Sequence, residues 1–391
     1  MTQRITIIGG GAVGSAIAYF LTQQTTAQTL EVCVLERDFA YRQASSALSA
    51  SSIRQQYSSV INIQLSQFGI GFLRTLGQTL HVDGQAPNIG LTEPGYLYLA
   101  SPEGSPILRE NHALQKQWGV DVALLEPAAL QAKFPWLATD GLALASLGLS
   151  GEGWFDGYGL MQALRKRASA QGVRYLQAEA TGLRRTGRHI SGVQLNSGET
   201  LPCDVVVNAA GPWAAKVAAW VDIDLPVRAR RRSVYSFSCP TPLPACPLVI
   251  DRSGIWFRPE GQQFICGYPP LPCEDLDDLP LDEVPDVFES TLWPILAERV
   301  PAFEALRLHS AWAGYYEMNV FDHNAILGLH PDCTNLYFAN GFSGHGLQQC
   351  PAVGRGIAEL IRYGSYRSLD LSPLGFERIL QNQPLLERNV I

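Results

Sequence analysis

A glycine-rich turn near the start of the chain constrains the fold more than any other feature. Residues 9–14 read Gly-x-Gly-x-x-Gly; they follow the β-branched residues 5–8 and precede residues 12–22, whose apolar spacing is that of a helix. A second apolar run, residues 30–35, comes next. A strand, a tight turn, a helix and a second strand within about 36 residues form a βαβ unit, the crossover that parallel strands need. We therefore expect an α/β protein.

The three glycines and a later glutamate predict a nucleotide site. Gly9, Gly11 and Gly14 allow a tight turn, let backbone N–H groups approach a pyrophosphate, and let the helix pack closely on the strand. Glu36 lies 22 residues after Gly14, at the end of the second predicted strand, where a carboxylate accepts hydrogen bonds from an adenosine ribose. This set favours dinucleotide binding over the alternative, a glycine-rich turn followed by an unrelated glutamate.

Composition excludes several classes of protein. The chain has 391 residues, 46% hydrophobic and 17% charged, which is enough for a large core and excludes intrinsic disorder. The net charge of −7 argues against a nucleic-acid-binding protein, since the basic run 228–232 is short. The long apolar window 205–221 is interrupted by Asn208, Pro212 and Lys216, so no membrane span is expected.

The cysteines and the start of the chain bear on metal binding and location. Eight cysteines are scattered without the spacing of a metal site, so we expect no metal and reduced thiols. The first residues run directly into the glycine turn and show no targeting signal. A cytoplasmic protein is the resulting expectation.

A second glycine-rich loop near the other end of the chain favours FAD over NAD. Gly341 is followed by Gly344, His345 and Gly346, and a helix is predicted at residues 351–363. Backbone amides in such a loop can face a flavin ring or its carbonyl oxygens. Two cofactor loops at opposite ends of the chain suit an elongated cofactor such as FAD; the alternative is an ordinary corner between a strand and a helix.

Other elements are predicted from periodicity and turn residues. Residues 45–59 are expected to form a Ser- and Gln-rich loop. Helices are expected at 61–76, 105–118 and 159–171, strands at 95–99, 173–178, 205–209 and 337–339, and a hairpin at 193–202.

The sequence resembles the D-amino-acid oxidase family of FAD-dependent oxidoreductases. The resemblance is carried by residues 9–14 with Glu36, by 45–57, by Asn208-Ala-Ala-Gly-Pro-Trp213 and by 322–354, and it covers nearly the whole chain. The layout is similar to the glycine oxidase and sarcosine oxidase branch. Residues 51–57, 62–65, 312–316 and 341–349 further resemble a group of mitochondrial FAD-dependent oxidoreductase-domain proteins.

The resemblance implies a fold and a division into domains. A Rossmann-like FAD-binding domain would be built from the discontinuous segments 1–85, 151–225 and 309–391. A substrate domain with a mixed, largely antiparallel sheet would be built from segments 86–150 and 226–308.

The resemblance also implies which residues bind FAD. Ala180 matches a position beside the adenine, and Ala209, Gly211 and Trp213 match the pyrophosphate side. Binding is expected to be noncovalent, because the serine-rich loop and Tyr315 offer no His or Cys for attachment. The full predicted set is Gly9, Gly11, Ala12, Val13, Gly14, Glu36, Arg37, Ser45, Ser46, Ser51, Ser52, Ala180, Ala209, Gly211, Trp213, Gly344, His345, Gly346, Leu347 and Gln348.

Arg54, Tyr316 and Gln348 are the predicted catalytic residues. Arg54 matches a family arginine that pairs with a substrate carboxylate, for which a planar guanidinium is suited; the alternative is a structural arginine. Gln348 replaces a lysine that helps hold the carboxylate in sarcosine oxidase.

Glycine oxidase has an arginine after Trp-Ala-Gly, where this chain has Tyr315, Tyr316 and Glu317. Glu317 is expected either to face a cationic substrate group or to be solvated. Five tyrosines are expected to cap the substrate cavity, the alternative being core or surface tyrosines: Tyr57, Tyr235, Tyr268, Tyr315 and Tyr316.

The implied reaction is oxidation of the C–N bond of an amine or amino acid, by hydride transfer to flavin N5 and hydrolysis of the imine. Two alternatives stay open: an FAD-dependent 2-hydroxy-acid dehydrogenase, and a flavin-stabilised assembly protein without turnover. Sarcosine oxidase relatives carry a lysine near the flavin that speeds reaction with O₂, whereas Ile265 stands at the best-matching position here; the alternative is that Arg258 or Arg232 supplies the charge. A dehydrogenase that passes electrons to a quinone or a partner protein is therefore favoured over an oxidase.

Overall fold

The computed structural model of the chain describes residues 2–23 and 29–388. The strands are Gln3–Ile8 (β1), Leu30–Glu36 (β2), Ser52–Ile53 (β3), Tyr96–Ala100 (β4), Val122–Leu125 (β5), Leu144–Gly148 (β6), Gly153–Trp154 (β7), Arg174–Gln177 (β8), Ala180–Thr186 (β9), His189–Leu195 (β10), Thr200–Pro202 (β11), Val205–Asn208 (β12), Val227–Ser238 (β13), Leu248–Ile250 (β14), Trp256–Glu260 (β15), Gln263–Gly267 (β16), Arg307–Asn319 (β17), Ile326–Leu329 (β18) and Leu336–Asn340 (β19). The α-helices are Ala12–Gln23 (α1), Ser45–Leu48 (α2), Val60–Thr79 (α3), Ser105–Gln117 (α4), Pro127–Lys133 (α5), Gly157–Ala170 (α6), Ala214–Ala219 (α7), Trp293–Arg299 (α8), Gly346–Tyr363 (α9) and Glu377–Leu380 (α10).

The predicted βαβ unit lies at the centre of a six-stranded sheet. The strand order is β18-β19-β12-β1-β2-β8, with parallel pairing except between β18 and β19. Strands buried on both faces read as continuous apolar runs, and β1 and β2 do so: Ile7 and Val34 pack into the core shared with α1, α6 and α9. Ile8 and Cys33 pack into a second core on the opposite face, with the three-stranded sheet β9–β11.

A second, eight-stranded sheet has the order β17-β13-β16-β15-β14-β4-β6-β5. The pair β14–β4 is parallel and the others are antiparallel, as predicted for the substrate domain. One face carries an aromatic core with Phe237, Phe257 and Phe303. Strand β17 pairs with β13 along its length, from Val227 opposite Asn319 to Ser238 opposite Arg307. The predicted boundary at residue 309 falls inside this strand, and the division into domains stays a prediction.

Two predicted segments differ from the structure. Helix α9 begins at Gly346 rather than at residue 351, because Pro351 is accommodated inside the helix. The segment 45–59, expected as a loop, contains α2 and β3, and β3 pairs with β7 through Ser52 opposite Trp154. The start of α9 depends on how Pro351 is accommodated in the fold, and the short pair β3–β7 joins residues far apart in the sequence. Neither feature leaves a periodic pattern in the sequence. Within the part of the chain that the structure describes, no helix is long and apolar enough to cross a bilayer.

Candidate active site

Two adjoining cavities run between the two large sheets. The first holds about 1100 Å³ and the second about 1550 Å³, each counted with its open mouth. They have five lining residues in common, and the shared set is Ala12, Val13, Ser45, Ser46 and Glu317. The cavities are therefore continuous, and together they form an elongated site that starts at the carboxyl end of β1 and ends against the second sheet.

The glycines of the turn have two roles: Gly9 and Gly14 permit close packing, and Gly11 leaves open space in the first cavity. A Cβ on Gly14 would overlap the carbonyl oxygen of Gly9, and Gly9 itself has φ +106° and lies against the Ala209 carbonyl. These two glycines permit the close approach of α1, β1 and the strand end of β12. Gly11 lines the first cavity, and a Cβ there would meet only the Ser46 hydroxyl, at 3.2 Å. Gly11 is thus the position at which the absence of a side chain leaves room for a phosphate.

Glu36 lies at the end of β2 on the wall of the first cavity. Its Oε2 accepts a hydrogen bond from Gly10 N at 3.0 Å, and its Oε1 accepts one from Asp38 N at 2.9 Å. Each carboxylate oxygen can accept a second hydrogen bond, so the group is fixed by the backbone and still able to bind two ribose hydroxyls. Beside it, the Arg37 guanidinium stacks 3.6 Å from the ring centre of Trp213.

The structure brings together nearly all the residues predicted to bind the cofactor. Those in the first cavity are Gly9, Gly11, Ala12, Val13, Glu36, Arg37, Ser45, Ser46, Ala180, Ala209, Gly211 and Trp213. Those in the second are Ser51, Ser52, Gly344, His345, Gly346, Leu347 and Gln348. Gly14 lines neither cavity and acts through packing. The early start of α9 is what carries Leu347 and Gln348 to the cavity wall.

Arg54 lines the second cavity next to the C-terminal glycine loop. Its Nη1 donates to Gln56 O at 2.7 Å and its Nη2 donates to His345 Nε2 at 3.0 Å. The guanidinium also lies 4.1 Å from the ring centre of Tyr57. Because an arginine can only donate, His345 accepts at Nε2 and keeps its proton on Nδ1. Burial, with the nearby Arg54 charge, lowers the pKa of His345 to about 3, so the imidazole is neutral.

Gln348 lies behind Arg54 and is nearly fully buried. Its Oε1 accepts a hydrogen bond from Arg54 N at 2.8 Å, and its Nε2 donates to Tyr57 Oη at 2.5 Å. Both ends of the amide are therefore engaged inside the protein. This arrangement holds Arg54 and Tyr57 in place, so Gln348 is positioned to orient the arginine; its predicted catalytic role stays a prediction.

Glu317 lies between the two cavities, at the end of β17. Its Oε2 accepts a hydrogen bond from Gly341 N at 3.1 Å. Burial raises the pKa of this carboxyl to about 8, against the opposing effect of the Gly341 N–H. Glu317 is therefore a mostly protonated group at neutral pH on the wall of the site. It is not the solvated surface residue that was one of the two expectations.

The tyrosines predicted to cap the cavity divide into two groups. Tyr268, Tyr315 and Tyr316 line the second cavity. Tyr57 lies behind Arg54, and the Tyr235 hydroxyl donates to Pro285 O at 2.6 Å, away from the cavity. For these last two, the expected capping role is wrong because their hydroxyls are used elsewhere in the fold.

The eight-stranded sheet contributes residues that sequence reasoning missed. They are Tyr96 and Tyr98 of β4, Leu248 and Ile250 of β14, and Trp256 of β15. Tyr96 and Tyr98 alternate with Leu97 and Leu99, which belong to the aromatic core. That alternation was the available signal, because residues at i and i+2 of a strand face the same side.

Ile265 does not lie where the comparison with sarcosine oxidase placed it. It is 3% exposed in β16 and does not line either cavity. It pairs with Ser236 on one side and Arg258 on the other, inside the sheet. The cation of this sheet that reaches the second cavity is Arg232 of β13. The expectation that position 265 faces the reacting groups is therefore wrong.

Comparison with known proteins agrees with this geometry. A family model described as FAD dependent oxidoreductase (DAO) matches residues 4–360. FAD-dependent oxidoreductase domain-containing protein 1 of Xenopus laevis is 42% identical over 421 aligned residues, covering 99% of this chain and 84% of that protein. Glycine oxidase of Geobacillus kaustophilus is 26% identical, covering 97% of this chain and 98% of its own.

Among solved structures, L-proline dehydrogenase from P. horikoshii superposes with a TM-score of 0.85. The match has 24% sequence identity and covers 98% of this chain and 99% of that chain. It confirms the predicted fold class, a Rossmann-like cofactor fold joined to a mixed, largely antiparallel sheet.

Proposed function

The chain belongs to the DAO family of FAD-dependent oxidoreductases, and on that premise we propose that it oxidises the C–N bond of an amine or amino acid whose carboxylate pairs with Arg54. The residues present fit FAD: a ribose-binding carboxylate, a glycine turn with room for phosphate, and a second glycine loop at the far cavity. When bound, FAD supplies the acceptor for the hydride that leaves the substrate carbon.

The observation that carries this proposal is the environment of Arg54. Its guanidinium faces the second cavity, and its contacts there are a carbonyl oxygen, a neutral imidazole and a tyrosine ring. None of the ion pairs formed by the described residues involves Arg54. Glu387 and Glu152 act on Arg54 electrostatically, but neither lies within ion-pair distance of it. A partly buried cation with no carboxylate of the described residues at that distance favours binding of an anion from solution, and the guanidinium fork suits a carboxylate.

The remaining lining residues orient the substrate and limit water. Tyr96, Tyr98 and Trp256 give the cavity an aromatic wall, which excludes water from the reacting carbon. Neutral His345 presents its Nδ1–H in the glycine loop, where a carbonyl or a carboxylate can accept it. Because burial raises the pKa of Glu317 to about 8, its ionised form is a base strong enough to accept the proton released when an ammonium group becomes an amine.

Replacement of Arg54 tests the proposal. Arg54→Lys keeps the charge and loses the fork, so we expect at least a tenfold rise in the substrate concentration for half-maximal flavin bleaching under anaerobic conditions. FAD affinity should stay within about twofold of the wild type. Arg74→Lys is the matched control, since Arg74 pairs with Glu93 far from the cavities.

The substrate panel contains amines, amino acids of both chiralities and 2-hydroxy acids. Bleaching by hydroxy acids alone would replace the proposal with a hydroxy-acid dehydrogenase. A flavin that no compound bleaches would favour an assembly protein. An unchanged substrate dependence in Arg54→Lys would reduce Arg54 to a structural residue.

We further propose that the enzyme is a dehydrogenase that passes electrons to a quinone or a partner protein. No lysine is among the described residues that line the second cavity, and of its two cations Arg54 is the one assigned to the substrate carboxylate, while Arg232 is paired with Asp275. A fixed free cation is what would stabilise superoxide as it forms. Stopped-flow mixing of reduced protein with air-saturated buffer should show reoxidation slower than turnover with an added dye, and equally fast reoxidation would contradict the proposal.

The cytoplasmic location stays a prediction.

A further inference from the structure

A second guanidinium faces the cavity that holds Arg54. Arg232 of β13 lines it, and its charged group lies 5.3 Å from the ring centre of Tyr316. The Tyr316 ring also lies against the backbone of Gly344, the residue before His345. The contacts therefore run from Arg54 through His345, Gly344 and Tyr316 to Arg232, and both cations line the same cavity.

Arg232 belongs to a network of charged side chains. Arg228, Arg230 and Arg232 alternate along β13 and so share one face of the strand. They meet two carboxylates of the acidic loop 274–283. Asp277 lies 2.8 Å from Arg230 and 3.7 Å from Arg228, and Asp275 lies 2.6 Å from Arg232 and 3.7 Å from Arg230. Arg232 is paired with both oxygens of Asp275, at 2.6 and 3.1 Å, and it is the member of this set that reaches the cavity.

The partner of Arg232 can be released without leaving a charge unpaired. Asp275 belongs to the acidic loop, and its side chain is 22% exposed. If Arg232 turns to a new anion, Asp275 keeps Arg230 as a partner at 3.7 Å. A ligand carboxylate can offer Arg232 the same two-point geometry that Asp275 offers it, so it can take the place of Asp275 while Arg230 remains beside that aspartate.

The third ionisable group on the cavity wall does not cancel these cations. Glu317 is the acidic residue among the described lining residues of this cavity. Because burial raises its pKa to about 8, it is mostly uncharged at neutral pH. The cavity thus presents two guanidiniums and no full negative charge of its own apart from the displaceable Asp275.

We propose that the substrate carries two anionic groups, one bound by Arg54 and the other by Arg232, and is thus an amino or imino dicarboxylate or a compound of the same charge pattern. This inference rests on the proposed function, because it names the substrate class of the same site. Arg54 fixes the carboxylate beside the reacting carbon, and Arg232, next to Tyr316, selects the distal anion.

Binding of inert ligands tests the inference without turnover. Glutarate has two carboxylates and butyrate has one. Glutarate is butyrate with a second carboxylate on its terminal carbon, so the two ligands differ only in that group. Titration of the FAD-loaded protein, followed by the shift of its flavin absorption bands, should give a dissociation constant at least tenfold lower for glutarate. Anaerobic bleaching by glutamate and glutamine, and by iminodiacetate and sarcosine, should show the same preference.

Two substitutions assign the preference to Arg232. Arg232→Gln should bring the ratio of the two dissociation constants to within about twofold of one. Arg228→Gln is the matched control, because Arg228 lies on the same strand face and does not line the cavity; it should keep the ratio.

The competing aspartate gives a test with the opposite sign. Asp275→Asn should tighten glutarate binding severalfold, because it removes the competing carboxylate. Damage to the fold would weaken binding instead. Asp277→Asn, which disturbs Arg228 and Arg230 outside the cavity, should leave the glutarate affinity unchanged.

The outcomes separate this inference from the proposed function. Equal binding of glutarate and butyrate by the wild type, together with bleaching by monocarboxylic amino acids, overturns the dicarboxylate inference and leaves the proposed function standing. A glutarate preference that survives in Arg232→Gln overturns the role of Arg232. A glutarate preference that depends on Arg232, in a protein whose flavin no amine bleaches, supports the anion site and overturns the proposed function.

Discussion

Glu36 and Glu317 both line the first cavity, and their surroundings differ. Glu36 is held by two backbone N–H groups, from Gly10 and Asp38, whereas Glu317 accepts a hydrogen bond from Gly341 N. Glu36 thus has a fixed position in the first cavity, and Glu317 is a protonatable group where the two cavities meet. Each residue leads to a separate prediction.

Glu36→Ala should weaken FAD binding and leave the fold intact. Charge-assisted hydrogen bonds to ribose contribute roughly 1.5–3 kcal/mol each, so the dissociation constant should rise at least tenfold. Flavin fluorescence during dilution measures this constant, and circular dichroism checks the fold. Glu31→Ala, an exposed position on the same strand, is the control. Full FAD occupancy of Glu36→Ala on dilution would contradict the ribose role.

Glu317 should make stability depend on pH. The folded state holds this proton up to about pH 8, because burial raises the pKa of Glu317, while the unfolded chain loses it near the usual value of 4.5. The contribution of Glu317 to the free energy of unfolding is therefore full below about pH 4.5 and is lost as the pH rises through 8. Glu317→Gln cannot ionise, so its stability relative to the wild type should increase between pH 5.5 and 8.5.

Urea unfolding at pH 5.5, 7 and 8.5 measures that difference. The exposed Glu199→Gln serves as the control, and its difference from the wild type should be flat. A flat difference for Glu317→Gln as well would show that its carboxyl is ionised throughout this range.

At the scale of elements, the crossing of α3 and α9 fixes the substrate end of the site. Gly69 of α3 lies directly against the carbonyl of Gln348, in the first turn of α9. The same residue, Gln348, bonds Arg54 and Tyr57 through its side chain. A change in the spacing between α3 and α9 would therefore shift Gln348 and, through it, the Arg54 guanidinium that faces the cavity.

Gly69→Ala and Gly71→Ala should change stability in opposite directions. An added Cβ at Gly69 would overlap the Gln348 carbonyl, so α9 must shift; the variant should lose stability and need more substrate for half-maximal bleaching. A Cβ added at Gly71 would meet no atom within 4 Å, and Gly71 lies exposed on the same helix, so Ala there should add about 0.5–1 kcal/mol. Thermal unfolding and substrate titration of both variants check this. Equal stability of the two would contradict the close contact at Gly69.

The elements also show which features the sequence could predict. The βαβ unit was predicted to within two residues, because glycines and β-branched runs are local signals. The start of α9 was missed, because Pro351 is a signal for a helix end and its tolerance here depends on tertiary packing. Arg232 was noted only as a charge, because its pairing with Asp275 joins residues 43 positions apart. The cavity residues on β4 and β14 were also missed, because their place in the site depends on pairing between strands that are distant in the sequence.

At the scale of the whole molecule, the site joins the two large sheets. The first cavity is built on the six-stranded sheet, and the second adds residues of the eight-stranded sheet. A cofactor that fills both must therefore stabilise the packing of one sheet on the other. No cysteine is among the described residues that line the cavities, and His345, which does line one, is engaged by Arg54.

The purified protein should contain one noncovalent FAD per chain and should unfold at a higher temperature with FAD than without it. Binding to the native state alone raises stability in proportion to the logarithm of ligand concentration. Acid precipitation should leave the flavin in the supernatant, where chromatography identifies it as FAD. Flavin that stays with the precipitated polypeptide would contradict the noncovalent attachment.

The order of strands in the six-stranded sheet has a consequence for synthesis on the ribosome. Strand β1 leaves the exit tunnel first, but its neighbour β12 comes about 200 residues later, and β12 in turn waits for β19 at residues 336–340. At about 5–20 residues per second, the nascent chain spends many seconds with the edges of β1 and β12 unpaired. Unpaired strand edges bind other chains readily. We therefore expect this protein to depend on chaperones during translation, and to acquire FAD only once residues 336–346 have emerged.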